Sequence, residues 1–294
     1  MVARPRRSVL YMPGSNAKAL AKARSLPADA LILDLEDSVS PESKVSARGQ
    51  VVEAVRAGGF GAREVIIRIN GPHTPWGAED LEAAIAAAPD GILLPKVDGP
   101  GAIMLAGRAL REAHAPEKTR VWAMMETPMA MLSAGSIAAT AADPSARLEV
   151  LVMGLNDLAK ETRARFTPGR TAFVSWIATC IAAARAHGTD ILDGVYNDIA
   201  DLDGFRAECL QGRDFGFDGK TLIHPGQVDA CNAVFAPTAK EIEMASAILS
   251  AFALPENLGK GVIQLNGKMV ERLHADMAER TLAIANGIAA LAAA

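Results

Sequence analysis

Cysteine is scarce in this chain, and the few cysteines lie far apart. Cys180, Cys209 and Cys231 form no CxxC pair within the 294 residues. Their spacing argues against a disulfide framework and against a structural zinc site, so we expect a protein of the reducing cytoplasm. No apolar run approaches the roughly 18 residues of a membrane helix, and no signal-peptide pattern follows the first basic residues. We therefore expect a soluble protein that does not contact a membrane.

The chain also lacks a strong excess of one charge. It carries 30 basic and 34 acidic residues, a formal net charge of −4. This balance makes nucleic acid an unexpected partner. Half of the residues are apolar, which is enough for a full hydrophobic core.

Two nucleotide-binding motifs are absent or incomplete. The turn after the first predicted strand reads YMPGSNAK and contains only Gly14, so it lacks the GxGxxG of a doubly wound dinucleotide-binding sheet. The Gly-Lys-Thr at 219–221 would need a glycine at position 214 to form a phosphate-binding loop, and Asp214 stands there. We therefore disfavour the doubly wound sheet and reject the phosphate-binding loop.

Short apolar runs alternate with alanine-rich stretches along most of the chain. The runs predict fully buried strands at 8–12, 30–35, 64–69, 91–95, 120–125, 148–153, 190–195 and 217–223. The stretches between them predict helices, among them 16–25, 41–57, 78–88, 100–113 and 171–187. A strand followed by a helix, repeated eight times, predicts an α/β protein with a (β/α)8 or TIM barrel over residues 1–235.

The remaining residues, 236–294, differ from the repeat. They predict a helix at 239–252, a glycine-rich connector with the sequence ENLGKGVIQLNGK, and a last helix from about Met269. We expect a C-terminal helical extension that serves either as a lid or as an oligomer contact.

Polar side chains stand at or just after the ends of the predicted strands. In chain order they are Asp34, Glu36, Asp37, Arg68, Asn70, Lys96, Glu126, Asn156, Asp157, Tyr196, Asn197, Asp198 and His224. A single acidic residue after a strand is more often a helix cap or a surface group. In a (β/α)8 barrel, however, the carboxyl ends of all strands meet at one rim, and carboxylates gathered there repel each other unless a cation binds among them.

A hard divalent cation is the simplest explanation for this set. Mg²⁺ is commonly held by one or two carboxylates, water molecules and substrate oxygens. Glu126 and Asp157 follow consecutive predicted strands, so we expect them to be the metal ligands. Zinc is less favoured because no two histidines have ligand spacing. His224, which precedes Pro225, fits a structural turn and a ligand contact equally well.

Seven motifs together resemble one protein family. They are RSVLYMPGSN, LILDLEDSV, VIIRING, ILLPKV, AMMETP, MGLNDLAKE and GFDGKTLIHPGQV. In this order they resemble the citrate lyase β-subunit-like group of CoA-ester lyases, within the wider HpcH/HpaI aldolase superfamily. The resemblance extends from Arg7 to about Val270.

The resemblance implies a (β/α)8 barrel that assembles as a homotrimer or hexamer and binds Mg²⁺, with Mn²⁺ as a possible substitute. Its substrate would be a CoA thioester of the malyl-, citramalyl- or citryl-CoA type, cleaved between carbons in a retro-Claisen reaction. Glu126 and Asp157 match the family's metal ligands, and Arg68 matches the arginine that contacts the keto acid and the reacting carbonyl. The ion would act as a Lewis acid, and the arginine would stabilise the developing oxyanion.

Further residues match the family through their motifs. Glu36 and Asp37 of LEDS match acidic residues that line the rim near the metal. The loop with Pro13 and Gly14 matches a part that shapes the CoA channel. The region around Lys220 and His224 matches another part of that channel.

One position departs from the family pattern. Lyases of this group and the related thioesterases usually carry an aspartate in a C-terminal GKMID segment, donated across a subunit boundary, whereas this chain reads GKMVERLH with Glu271 in that place. Glu271 is one methylene longer, so it would reach the α-carbon differently. A thioesterase that hydrolyses the same kind of substrate, such as (3S)-malyl-CoA, is therefore a serious alternative.

Two further functions stay open below these. A class II pyruvate aldolase would share the acidic metal ligands and the arginine, but such aldolases carry Glu-His where this chain has Glu36 and Asp37. A metabolite-binding or assembly subunit without catalysis is disfavoured because Arg68, Glu126 and Asp157 are all present.

Overall fold

The computed structural model describes residues 4–293. The chain divides into two compact units, one of Arg6–Phe235 and one built mainly from residues 236–293. Residues 1–3 of the predicted barrel segment and residue 294 of the predicted extension lie outside the described residues. Among the helices from residue 4 to 293, none has the length and apolar character needed to cross a bilayer.

Within the first unit, parallel strands pair in chain order and close into an eight-stranded barrel, since β1 pairs with β8 as well as with β2. The strands are β1 (Ser8–Pro13), β2 (Ala30–Asp34), β3 (Glu64–Arg68), β4 (Gly91–Leu94), β5 (Arg120–Met125), β6 (Leu148–Met153), β7 (Asp190–Asp193) and β8 (Gly219–Leu222). The predicted (β/α)8 barrel is confirmed. Each strand lies within two residues of its predicted bounds, because a strand covered on both faces appears in sequence as an uninterrupted apolar run.

Helices connect the strands around the barrel. They are α1 (Ala17–Ala23), α2 (Lys44–Ala57), α3 (Gly77–Ala87), α4 (Pro100–Glu112), α5 (Pro128–Leu132), α6 (Ala134–Ala139), α7 (Leu155–Thr162), α8 (Val174–His187), α9 (Leu202–Phe215) and α10 (Val228–Phe235). The side chain of Asn16 accepts a hydrogen bond from the Ala19 N–H and caps α1. Thr127 caps α5 in the same way.

Side chains that alternate along the strands form two apolar layers. The inner layer fills the barrel and includes Ile32, Ile66, Trp122 and Val152. The outer layer lies between the strands and the helices. This alternation places Met124 in the inner layer and Met12, Met125 and Met153 in the outer one.

A buried ion cluster closes the N-terminal end of the barrel. The Arg6 guanidinium donates to Glu64 at 2.7 and 2.8 Å and to Asp190 at 2.6 Å, and it stacks over the Trp122 ring. Removing one partner from such a buried pair costs about 3–5 kcal/mol, so the cluster fixes this end of the barrel. The opposite, C-terminal end therefore remains for ligands, as in other barrels of this architecture.

The second unit contains α11 (Ala239–Phe252), β9 (Val262–Leu265), β10 (Lys268–Glu271) and α12 (Arg272–Ala293). The strands pair in an antiparallel hairpin, and Phe252, Ile263 and Val270 form part of a small apolar cluster. Part of the expected glycine-rich connector forms this hairpin, and the helix expected from about Met269 begins at Arg272 because residues 268–271 pair as a strand. The hairpin turn is Asn266-Gly267, both with positive φ, which is the pair of residues that a two-residue hairpin turn prefers.

Candidate active site

Arg68 lies at the carboxyl end of β3 and is held by its neighbour on β2. Asp34 is paired with Arg68 in the strand register and accepts two hydrogen bonds, 2.6 Å from Nε and 2.7 Å from Nη2. The Tyr11 ring lies 4.8 Å from the centre of the guanidinium. Burial alone would lower the pKa of Arg68, but the charge and hydrogen bonds of Asp34, together with the nearby Tyr11 and Glu36, outweigh burial and raise the pKa well above its usual value. Arg68 is therefore a permanent, oriented cation.

The third nitrogen of Arg68 faces the rim. Nη1 lies 2.8 Å from Oε2 of Glu36 and 3.5 Å from Oδ2 of Asp37. The Glu36 contact is an ion pair without hydrogen-bond geometry, since this oxygen has no hydrogen-bond partner among the described residues. The Asp37 side chain is 59% exposed. Nη1 is thus the guanidinium nitrogen that can donate a hydrogen bond to a ligand, in place of its contacts with Glu36 and Asp37.

Lys96, which follows β4, connects carboxylates from three other strand ends. Its Nζ lies 3.0 Å from Oε1 of Glu36, 3.6 Å from Oδ1 of Asp157 and 4.0 Å from Oε1 of Glu126. Its backbone N–H donates to Glu126 Oε1 at 2.7 Å. These charges together raise the pKa of Lys96 despite its partial burial. The two predicted metal ligands are therefore brought to one place.

Glu126 at the end of β5 is almost completely buried, with 1% of its surface exposed. Burial, followed by the nearby charge of Glu36, raises the pKa of Glu126 to about 8. The residue opposite must be glycine, because a Cβ on Gly154 would lie 2.5 Å from Glu126 Cβ and 2.6 Å from its Oε2. A carboxylate with a raised pKa at a rim is typical of a site that gains a cation.

The donor set fits a hard divalent cation. Glu126 and Asp157 both lie within 4.0 Å of one ammonium group, so a single cation near that point can contact both carboxylates. The described residues 4–293 contain no group of three or more acidic, histidine or cysteine side chains able to hold a metal by themselves. Two carboxylates are nevertheless the usual protein contribution to a Mg²⁺ site, which is completed by water and substrate.

The loop after β1 packs against this arrangement. Pro13 is the last residue of β1, and the Gly14 N–H donates to the Asp34 carbonyl at 2.8 Å. A Cβ on Gly14 would lie 2.5 Å from that carbonyl oxygen. Glycine therefore allows the loop to approach the strand that carries Asp34. A contact of Pro13 or Gly14 with CoA stays a prediction.

The other two residues predicted at the CoA channel have structural contacts of their own. Lys220 is fully buried, and its Nζ lies 3.0 Å from Asp193 and 2.7 Å from Glu208. Its ammonium is occupied by these carboxylates and reaches no solvent, which disfavours a direct contact with substrate. The His224 imidazole accepts from the Gly226 N–H at 3.1 Å and caps a short 3₁₀ turn. The turn role that was one of two alternatives for His224 is thus observed.

Glu271 belongs to the second unit, as the last residue of β10. It is exposed, and its N–H donates to Nδ1 of His274 at 3.0 Å. Its side chain is accessible, as a group that acts on a substrate must be. Its role stays a prediction.

Two residues of the site were given no role from the sequence. The sequence places Asp34 only among the polar residues at strand ends, although its position next to Arg68 at the ends of consecutive strands is a signal for pairing. Lys96 was noted at a strand end but was not connected to the carboxylates. Neither the sequence nor the motifs predicted that it would lie among Glu36, Glu126 and Asp157.

Fold and site define a (β/α)8 barrel with an acidic rim and one anchored arginine, and comparison with known proteins agrees. Residues 7–225 match the family model of HpcH/HpaI aldolase/citrate lyase. The chain belongs to this family, and the resemblance inferred from the motifs is confirmed.

Curated relatives match almost the whole chain. It is 49% identical over 291 residues to the (3S)-malyl-CoA thioesterase of Cereibacter sphaeroides strain KD131, with 99% of this chain and 98% of the relative covered. It is 35% identical over 273 residues to citrate lyase subunit beta of Escherichia coli strain K12, with coverage of 91% and 89%.

A solved structure is also similar. The protein CitE from Mycobacterium tuberculosis, in complex with magnesium, acetoacetate and coenzyme A, superposes with a TM-score of 0.75 at 29% identity. The match covers 97% of this chain and all of that one.

Proposed function

We propose that this protein is a Mg²⁺-dependent enzyme that hydrolyses the thioester of a malyl-CoA-type substrate. The observation that carries this proposal is the 49% identity, over 99% of the chain, to a (3S)-malyl-CoA thioesterase. The rim chemistry supports it, because Arg68, Glu36, Glu126 and Asp157 stand within one connected set of ion pairs.

In this proposal the residues divide the work of binding and orientation. Glu126 and Asp157 hold the metal, which when bound polarises substrate oxygens as a Lewis acid. Arg68 donates from Nη1 to the thioester oxygen as negative charge develops on it. Its other nitrogens stay bound to Asp34 and keep the guanidinium in place. Removing one such donor in other enzymes costs roughly 3 kcal/mol of barrier lowering.

Hydrolysis also requires a base for the attacking water. We assign this role to Glu36 or Asp37, whose carboxylates lie 2.8 and 3.5 Å from Nη1 of Arg68. Water adds to the thioester carbon, the carbon–sulfur bond breaks, and the thiol of CoA leaves with the proton that the base accepted. The products are the free acid and CoA.

A second candidate is a CoA-ester lyase, which cleaves a carbon–carbon bond of the same substrate. The 35% identity to citrate lyase subunit beta supports it. This reaction needs a proton delivered to the departing acyl-CoA, and Glu271 is the residue that the motif assigns to that transfer. Glu271 is exposed and one methylene longer than aspartate, so it would reach the α-carbon differently. This difference favours hydrolysis as the main reaction.

One assay distinguishes the two reactions. Purified protein is incubated with (3S)-malyl-CoA and Mg²⁺, and the products are separated by liquid chromatography. We expect malate and free CoA in equal amounts. Glyoxylate with acetyl-CoA would instead identify the lyase, and no turnover with either product pair would contradict the proposed substrate.

The role of Glu271 can be tested in the same assay. We expect Glu271→Asp to raise carbon–carbon cleavage relative to hydrolysis, because it restores the shorter acid of the lyases. Glu271→Gln keeps the length of the side chain but cannot transfer a proton. If the base lies elsewhere, its hydrolysis rate should stay within about threefold of wild type. Loss of hydrolysis in both variants would show that Glu271 acts in hydrolysis itself.

Assembly and location belong to the same proposal. We expect a homotrimer or a hexamer, and size-exclusion chromatography with light scattering tests this. The three cysteines are buried free thiols, which supports the expected cytoplasmic location.

A further inference from the structure

Lys96 combines a constrained backbone with a side chain that remains free to move. Its φ is +49°, in the left-handed region that residues other than glycine rarely adopt. Its N–H bonds Glu126 Oε1 at 2.7 Å, so the backbone is fixed to a proposed metal ligand. The side chain, by contrast, is 40% exposed at the rim. Its ammonium can therefore leave the carboxylates without any change in the fold.

The ammonium lies where a bound cation is expected. It makes ion pairs with Glu36, Glu126 and Asp157, at 3.0, 4.0 and 3.6 Å. Without a positive charge, three carboxylates from three strand ends would face each other in a largely buried place. Arg68 is paired with Asp34 and also lies 2.8 Å from Oε2 of Glu36, so Lys96 is the cation that lies among Glu36, Glu126 and Asp157 together in the described structure.

A divalent ion bound by Glu126 and Asp157 would meet this ammonium at close range. Two cations a few ångströms apart repel strongly in a partly buried site, where the effective dielectric constant is about 20. Both cannot keep the same carboxylate oxygens. We infer that Lys96 is an internal countercation that neutralises the rim in the metal-free protein and is displaced towards solvent when the divalent ion binds.

This inference rests on the metal ligands proposed above and adds a determinant of metal affinity. It implies that the wild-type protein binds its metal more weakly than its two carboxylates alone would allow. It also implies that the metal-free protein is stabilised by Lys96, whereas the metal-bound protein is not.

The test measures metal binding directly. Mn²⁺ is titrated into the metal-free full chain by isothermal titration calorimetry, for wild type, Lys96→Met and Lys96→Arg. We expect Lys96→Met to bind Mn²⁺ at least about tenfold more tightly, because a repelling charge within about 4 Å of the ligand oxygens is gone. Lys96→Arg keeps the charge and should gain no affinity.

Lys118→Met is the matched control. Lys118 pairs at 3.4 Å with Asp90, the residue just before β4, at the N-terminal end of the barrel. This variant therefore makes the same change in net charge at a place away from the rim. We expect its Mn²⁺ affinity to equal that of wild type. Lys96→Gln provides a second neutral variant if Lys96→Met is obtained only with metal, and its affinity is then measured by competition with a chelator.

Thermal unfolding supplies a second readout. Metal-free Lys96→Met should melt below wild type, and saturating Mn²⁺ should raise its melting temperature by more than it raises that of wild type. An unchanged or weaker Mn²⁺ affinity in both neutral variants, or an equal gain in Lys96→Arg, would overturn the inference. No Mn²⁺ binding by wild type would refute it together with the metal ligands, whereas binding without hydrolysis would refute only the proposed substrate.

Discussion

The pairing of Asp34 with Arg68 leads to a prediction that the structure makes quantitative. The Asp34 carboxylate accepts four hydrogen bonds, two from Arg68 and one each from the N–H groups of Glu36 and Ser38. Each oxygen takes one bond from the guanidinium and one from the backbone. Arg68 holds the pKa of Asp34 below its usual value against the effect of burial, so the carboxylate is charged.

The substitution Asp34→Asn keeps the shape and removes the charge together with half of these acceptors. Whichever oxygen becomes NH₂ can no longer accept, and it directs a donor at a guanidinium N–H. Breaking a buried ion pair from one side costs about 3–5 kcal/mol, and the ion pair between Arg68 and Glu36 should hold the loss near the lower limit. Since Arg68 is no longer oriented from two nitrogens, kcat/KM should fall roughly hundredfold.

Urea unfolding and the malyl-CoA hydrolysis assay measure the two effects on the same preparation. Asp29→Asn is the control, because Asp29 is equally buried and accepts from Arg7 at 2.8 and 2.9 Å at the N-terminal end of the barrel. We expect the control to lose stability and keep kcat/KM. If Asp34→Asn retains wild-type kcat/KM, or if Asp29→Asn loses as much activity, then Asp34 does not position the reacting arginine.

Three further predictions concern the metal ligands, their surroundings and a thiol. Glu126→Gln and Asp157→Asn should each abolish Mg²⁺-dependent turnover, and unchanged rates in both would refute the ligand assignment. Gly154→Ala places a Cβ 2.5 Å from Glu126 Cβ and should weaken Mn²⁺ binding at least about tenfold in calorimetry. Wild-type Mn²⁺ affinity in Gly154→Ala would show that residue 154 does not constrain the position of Glu126. Burial raises the pKa of Cys180 to about 12, so this thiol should react with Ellman's reagent only after unfolding, and rapid labelling of the native protein would contradict this.

Much of the first unit was predictable because its strands are buried on both faces. Such strands appear as continuous apolar runs, and polar residues at their carboxyl ends indicate the rim. This pattern predicts Glu126 and Asp157 as metal ligands, and both lie within 4.0 Å of the Lys96 ammonium. The hairpin of the second unit was missed although its Asn266-Gly267 turn is a known signal, because the surrounding glycines suggested an irregular connector.

Two buried basic residues differ in surroundings that the sequence alone does not predict. Arg68 and Lys220 both lie in short buried strands, and their motifs predict a contact with substrate for both. The closed barrel directs Arg68 to the rim beside Glu36, while it encloses Lys220 between Asp193 and Glu208.

Apolar periodicity and residue type along the chain were enough to predict the barrel, and they indicate which carboxylates stand at its rim, since these depend on local pattern. Which charges meet across the rim depends on strand register and on closure of the barrel, which bring together residues from distant parts of the chain. The place of Lys96 among three carboxylates is therefore a property of the tertiary structure alone.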